Sequence, residues 1–136
     1  APNAHTDGDG IVHFRSSNVI HAGDTFFNGF YPFIDTGNGG SVKGMIAAAD
    51  RILGLANDAT RIIPGHGPLA TRADLERNLA VLIDSQDRVK YLVDKGMSAD
   101  DIVAANPLAL YHDDYNWGFI TTERMTRTLI RSLTSE

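Results

Sequence analysis

The hydrophobic period of this chain changes near Thr71, and that change limits the folds open to it. Upstream, short runs rich in Val, Ile and Phe alternate with Gly-rich turns. Downstream, apolar residues recur at helical spacing almost to the end. The expected fold class is therefore mixed, α/β (α+β), with a small sheet first and a helical tail after it. A length of 136 residues suits one domain with one core. A hydrophobic fraction of 43% and a charged fraction of 21% argue against disorder over most of the chain. No internal repeat, low-complexity tract or linker divides it.

In the first half, residues 11–14 and 18–22 predict a hairpin or two neighbouring strands. Gly23-Asp24 is expected to end the second, with Thr25, Phe26 and Phe27 continuing the sheet briefly. Ser41 is a good N-cap, and Val42, Met45, Ile46, Ala49, Ile52, Leu53 and Ala56 behind it mark a helix with one buried face. Arg61-Ile62-Ile63 predicts a short buried strand. Two Pro and two Gly within residues 64–68 predict irregular backbone there.

Thr71 and Asp74 form a capping-box pattern with Asp in place of Glu. Leu75, Leu79, Leu82, Val89 and Leu92 then predict a long amphipathic helix, with Gly96 at its C′ position. Ser98 caps a shorter helix that stops before Pro107. Residues 111–118 are expected to be loop. Met125, Leu129 and Leu133 predict a last helix. These helices read as scaffold, because four of the five His lie before Thr71.

With 12 Lys+Arg against 17 Asp+Glu the net charge is −5, which argues against a nucleic-acid or anionic-membrane surface. No apolar run approaches the roughly 18 residues of a membrane span. Cys is absent, so disulfides, thiolate ligands and a Cys nucleophile are excluded. No signal peptide is visible, and the expectation is a soluble protein, cytoplasmic or periplasmic.

Three segments carry candidate chemistry: His5-Thr6-Asp7-Gly8-Asp9, His21-Ala22-Gly23-Asp24 and Pro64-Gly65-His66-Gly67-Pro68. Each sets a His or Asp at a turn beside a strand. Imidazole and carboxylate suit Zn, Fe or Mn. A carboxylate such as Asp24 can bridge two metals, with His5 and His66 binding one each. No H-E-x-x-H is present. Other sites are weaker. Gly37-Asn38-Gly39-Gly40-Ser41 precedes a helix, but Val42 stands where a dinucleotide loop needs Gly, and no Gly-Lys-Ser/Thr follows. There is no G-x-S-x-G. His112-Asp113-Asp114 reads as a solvated loop, and His13 as an exposed strand residue. Phe26, Phe27, Phe30 and Tyr31 follow Asp24 closely and could line a pocket or pack in the core.

The three segments, in this order, resemble the C-terminal part of a metallo-β-lactamase-fold hydrolase, in the broad superfamily that includes glyoxalase II-like thioesterases. His5 in HTDGD is similar to the family's H-[ST]-x-G-D/S segment. Asp24 in VIHAGD is similar to its strand-end Gly-Asp, and His66 in IIPGHG to its Pro-Gly-His-Gly. The resemblance covers residues 5–95 and, more loosely, the tail at 96–136. It implies one partial domain over 1–136, the second half of an αβ/βα sandwich. It implies His5 and His66 as ligands of two separate metal ions, normally zinc, with Asp24 bridging them. No catalytic residue beyond the ligands is implied. The substrate class is a small acyl compound: an ester, a thioester or a lactam-like compound.

The family's principal motif, H-x-H-x-D-H, occurs nowhere in this chain. Two expectations follow. Alone, the chain binds metal weakly and hydrolyses little. Its sheet also exposes an apolar face, so that it forms a homo-oligomer or pairs with a missing N-terminal half. The alternative is a non-catalytic half-domain that associates through that sheet.

Overall fold

A computed structural model describes residues 4–6 and 8–135. Strands β1 (Val12–Phe14) and β2 (Val19–Phe27) form an antiparallel hairpin, with Val12 opposite His21 and Phe14 opposite Val19. Helix α1 (Val42–Leu55) then leads to β3 (Arg61–His66), which lies parallel to β2, so the sheet runs β1-β2-β3. After it come α2 (Arg72–Asp94), α3 (Ala99–Ala105), α4 (His112–Tyr115) and α5 (Thr122–Thr134). No helix among the described residues is long and apolar enough to cross a membrane.

The helices begin where local chemistry satisfies their free N–H groups. The Ser41 hydroxyl accepts from the Gly44 N–H, and Ser98 accepts from Asp101. Thr71 and Asp74 form a full reciprocal capping box at α2. Gly96, at φ +79°, ends that helix as expected. At α5, Thr121 accepts from Arg124. The Val42 N–H, at the start of α1, donates to the buried Ser132 Oγ near the end of α5 at 3.0 Å. This bond ties the tail to the first helix.

Two apolar clusters hold the layers together. Ile20, Ala22, Phe26 and Ile62 of the sheet meet Ala49 and Ile52 of α1 and Leu75 of α2. The larger cluster joins Tyr31, Ile34, Val42 and Met45 to Leu82, Val89, Ile102, Met125 and Leu129 of the helices. Where α2 meets the 3-10 turn Ala109–Tyr111, the Tyr111 hydroxyl donates to Asp84. Burial, with that carboxylate beside it, pushes the Tyr111 phenol up to about 12. The bond from Tyr111, followed by Arg88, holds Asp84 below the usual carboxylate range.

Four local expectations need correction. Strand β2 does not end at Gly23-Asp24; Thr25, Phe26 and Phe27 continue the sheet as expected, but as part of the same strand. Its pairing slips between His21 and Gly23, and again between Gly23 and Phe27. These bulges let the strand absorb extra residues beside Asp24 and go on. Pro64 and Gly65 lie in β3 rather than in irregular backbone. Proline is tolerated there because β3 is an edge strand, and its missing N–H costs no inner ladder bond. His13 is half-buried, whereas its neighbours Val12 and Phe14 are 52% and 51% exposed. Finally, residues 111–118 contain α4.

Candidate metal centre

The bulged part of β2 and the end of β3 bring two of the three proposed ligands side by side. Asp24 Oδ1 lies 3.7 Å from His66 Nε2, and Asp24 Oδ2 lies 3.8 Å from His5 Nδ1. One carboxylate therefore turns one oxygen to each imidazole. The chain positions these groups by close backbone approach. Gly65 packs against the carboxylate itself: a Cβ there would stand 2.3 Å from Asp24 Oδ1 and 2.7 Å from the Gly23 carbonyl oxygen. Gly40 does the same for the first segment, where a Cβ would stand 2.1 Å from the His5 carbonyl oxygen. That carbonyl accepts from the Asp35 N–H at 2.8 Å, and the Ala4 carbonyl accepts from the Ser41 N–H at 2.9 Å. The first segment is thus pinned to the loop before α1.

Asp9 completes the arrangement. It accepts from the Thr6 N–H at 2.6 Å and faces His5 Nδ1 at 3.3 Å, the same ring nitrogen that faces Asp24. Its side chain is 12% exposed and that of His5 18%, against 41% for Asp24 and 48% for His66. The open side of the cluster is therefore at Asp24 and His66. On β3, the His66 carbonyl accepts from the Asn28 N–H at 2.9 Å, and Asn28 Nδ2 donates to the Pro68 carbonyl at 3.0 Å. Asn78 of α2 accepts from the Gly29 N–H at 3.0 Å, which fixes the same turn to the helix.

The donor spacing bears on metal binding. Separations of 3.7 and 3.8 Å are too long for hydrogen bonds. They approach the about 3.4 Å between two ligands that share a tetrahedral ion with bonds of about 2.1 Å. The pairs His5–Asp24 and Asp24–His66 thus fit two ions with a shared carboxylate. Each ion would have two donors from these residues. Among the described residues no group of three or more His, Asp and Glu side chains could hold an ion by itself. Asp7 of the first segment lies outside the described residues.

Of the four aromatic residues after Asp24, Phe26 and Tyr31 are core, 2% and 1% exposed. With Phe27 and Phe30 they line an apolar crevice closed by Leu75, Leu79 and Leu82 of α2. Among the described residues the Ser85 hydroxyl is buried there with no hydrogen-bond partner; burial raises the Tyr31 pKa, and the Thr122 side chain opposes that rise. Phe27 is also buried, yet its ring stacks on His66 with centroids 4.8 Å apart and planes at 12°. The remaining candidates stand apart. His112, Asp113 and Asp114 are exposed, and His112 Nδ1 pairs with Thr122 Oγ1 at 2.7 Å. The loop before α1 uses its own amides: Asn38 and Gly40 donate to the Asp35 carbonyl.

Two contributors had no role in the sequence reading. Asp9 closes the first motif, and its position four residues after His5 was the available signal. Trp117, the single Trp of the chain, packs on His66 with ring centroids 5.5 Å apart. Nothing local in the sequence connects it to residue 66.

No family model matches the chain. No curated protein matches it significantly. Solved structures do. A metallo-β-lactamase from Pontibacter korlensis superposes with a TM-score of 0.52 at 19% identity, over 61% of this chain and 39% of that one. The protein VMB-1 gives 0.51 at 17% identity, over 60% and 37%. A double mutant of the sec-alkyl sulfatase PisA1 gives 0.72 at 15% identity, over 96% of this chain and 22% of that one. Coverage of 96% takes in the helical tail as well as the sheet. The chain therefore has part of a metallo-β-lactamase fold, and it spans at most 39% of the length of these neighbours. Nothing in these matches singles out the glyoxalase II-like branch.

Proposed function

We propose that this chain carries one side of a metal-hydrolase site, with His5, Asp24 and His66 as ligands and the remaining ligands supplied by polypeptide it does not contain. The observation that carries this reading is the Asp24 carboxylate, which offers one oxygen to each imidazole at 3.7 and 3.8 Å. Zinc suits the donors, as do iron and manganese. A bound ion of this kind supplies Lewis acidity and lowers the pKa of a coordinated water towards neutrality. The chain's own residues hold the site in shape. Asp9 accepts from the Thr6 N–H and so fixes the turn that carries His5, and Phe27 stacks on the His66 ring. Gly65 leaves room for the Asp24 carboxylate. The substrate is a small acyl compound: an ester, a thioester or a lactam-like compound.

With two donors for each ion, the chain alone binds zinc weakly and hydrolyses little. Calorimetric titration with zinc tests this reading. The expected result is weak binding that disappears in Asp24→Asn and falls in His66→Asn. Equal zinc affinity in wild type and Asp24→Asn would overturn it.

A second reading, a non-catalytic half-domain that pairs through its sheet, is favoured by a different observation. Val12 and Phe14 point outward from the edge strand β1 and are half exposed. Such an edge is a template for another strand.

A further inference from the structure

The two proposed histidine ligands are joined by a continuous arc of aromatic rings. The His5 ring meets Phe33 edge-on with centroids 5.2 Å apart, and Phe33 meets Phe119 at 5.3 Å. Phe119 meets Trp117 at 5.7 Å, and Trp117 meets His66 at 5.5 Å. Phe33 comes from the loop after β2, whereas Trp117 and Phe119 come from the helical tail. We infer that this arc is the specificity wall of the site: Trp117, Phe119 and Phe33 receive an aryl group on the non-reacting side of the substrate. The inference rests on the hydrolase reading above, since that reading makes the cluster at Asp24 the reacting centre.

Three features support this occupant. The arc is held in place before any ligand arrives. The Trp117 indole N–H donates to the Tyr31 carbonyl at 2.9 Å, and Arg124 donates to the Phe119 carbonyl at 2.8 Å. The arc also keeps open apolar surface, because Phe119 is 50% exposed and Phe33 and Trp117 are half-buried. Rings offset like these take a further ring in tilted or edge-on contact. Lastly, the charge at the rim is positive. The Arg124 guanidinium sits over Phe119 at 4.8 Å and over Phe33 at 5.2 Å. A cationic substrate group is disfavoured there, and a neutral aryl group is accepted.

Trp117 is the only Trp of the chain, so its emission reports on the wall directly. The test is a fluorescence titration of the whole chain with 4-phenylbutanamide, with acetamide as the control. A saturable change is expected with the aryl amide and none with acetamide. Phe119→Ser, a change at a half-exposed position, weakens the aryl response about tenfold through lost apolar burial. Its circular dichroism and melting midpoint stay close to wild type. Phe33→Leu gives a smaller loss.

The inference is overturned if no saturable response is seen, if acetamide responds equally, or if Phe119→Ser binds like wild type. A dimer that dissociates on Phe119→Ser and shows no aryl response would also overturn it, because a second copy would then be the occupant. Zinc binding depends on Asp24 and not on Phe119, so the titration with zinc judges the hydrolase reading separately.

Discussion

The segment before Thr71 and the helices after it are held by different means. Around the cluster, backbone lies against backbone. Gly40 sits on the His5 carbonyl and Gly65 on the Asp24 carboxylate, with no room for a side chain. In the tail the same task falls to side chains. Capping hydroxyls close the helix starts, and Arg88–Asp84 and Lys90–Asp94 pair one turn apart on the surface of α2. Exposed pairs of this kind contribute little, because solvent screens them, so the tail is stabilised chiefly by its buried face. The difference teaches where substitution is tolerated. The tail can exchange the charged residues on the surface of α2 freely but not core residues. The cluster cannot accept even a methyl group at its glycines.

Three changes test that contrast. The largest loss is expected in the tail core. Leu129 is fully buried, and Leu129→Ala should cost about 3–4 kcal/mol in denaturant unfolding. The molecules that stay folded should bind zinc as wild type does. Gly65→Ala should cost less, about 2–3 kcal/mol from overpacking, yet abolish zinc binding, because the new methyl group displaces Asp24. If Gly65→Ala kept its zinc affinity, the idea that close backbone approach positions the carboxylate would fail.

The smallest effect concerns Tyr111. Its folded pKa, about 12, lies above the ordinary 10.0, so the folded chain keeps this proton longer than the unfolded chain. The resulting stabilisation is fully present below pH 10 and is lost as pH rises through about 12. Tyr111→Phe should flatten the fall in melting midpoint over that window. An unchanged slope would show that burial and Asp84 do not hold the tyrosine proton more tightly in the folded chain.

The same contrast explains what the sequence revealed. Helix ends were legible because a cap is a local device: Ser41, Thr71 with Asp74, Ser98 and Gly96 each act within a few residues of their own position. The metallo-β-lactamase fold was legible too, from the order of three short motifs spread over the first half of the chain. The course of β2 through Gly23-Asp24 was hidden, because a bulge is defined only against its partner strand. Pro64 misled for a similar reason, as only the sheet order shows that β3 lies at an edge. The outward turn of Val12 and Phe14 depends on which face the helices cover. Trp117 is the extreme case. Its ring packs on His66 and its N–H donates to the Tyr31 carbonyl 86 residues earlier, contacts that no local window of sequence contains.

That long-range bond has a consequence for how the chain can be divided. The bond from Val42 to Ser132 spans 90 residues, and the two closures interleave, because Val42 lies inside the Tyr31–Trp117 span and Ser132 lies beyond it. The entropic cost of closing a loop grows only with the logarithm of its length, so the tail returns to the sheet at little more cost than a short connection would. A piece that stops between His66 and Trp117 keeps every proposed ligand but loses the indole that packs on His66. By motif the cluster belongs to the first half of the chain. By chain topology it is complete only when the last third has folded back onto it.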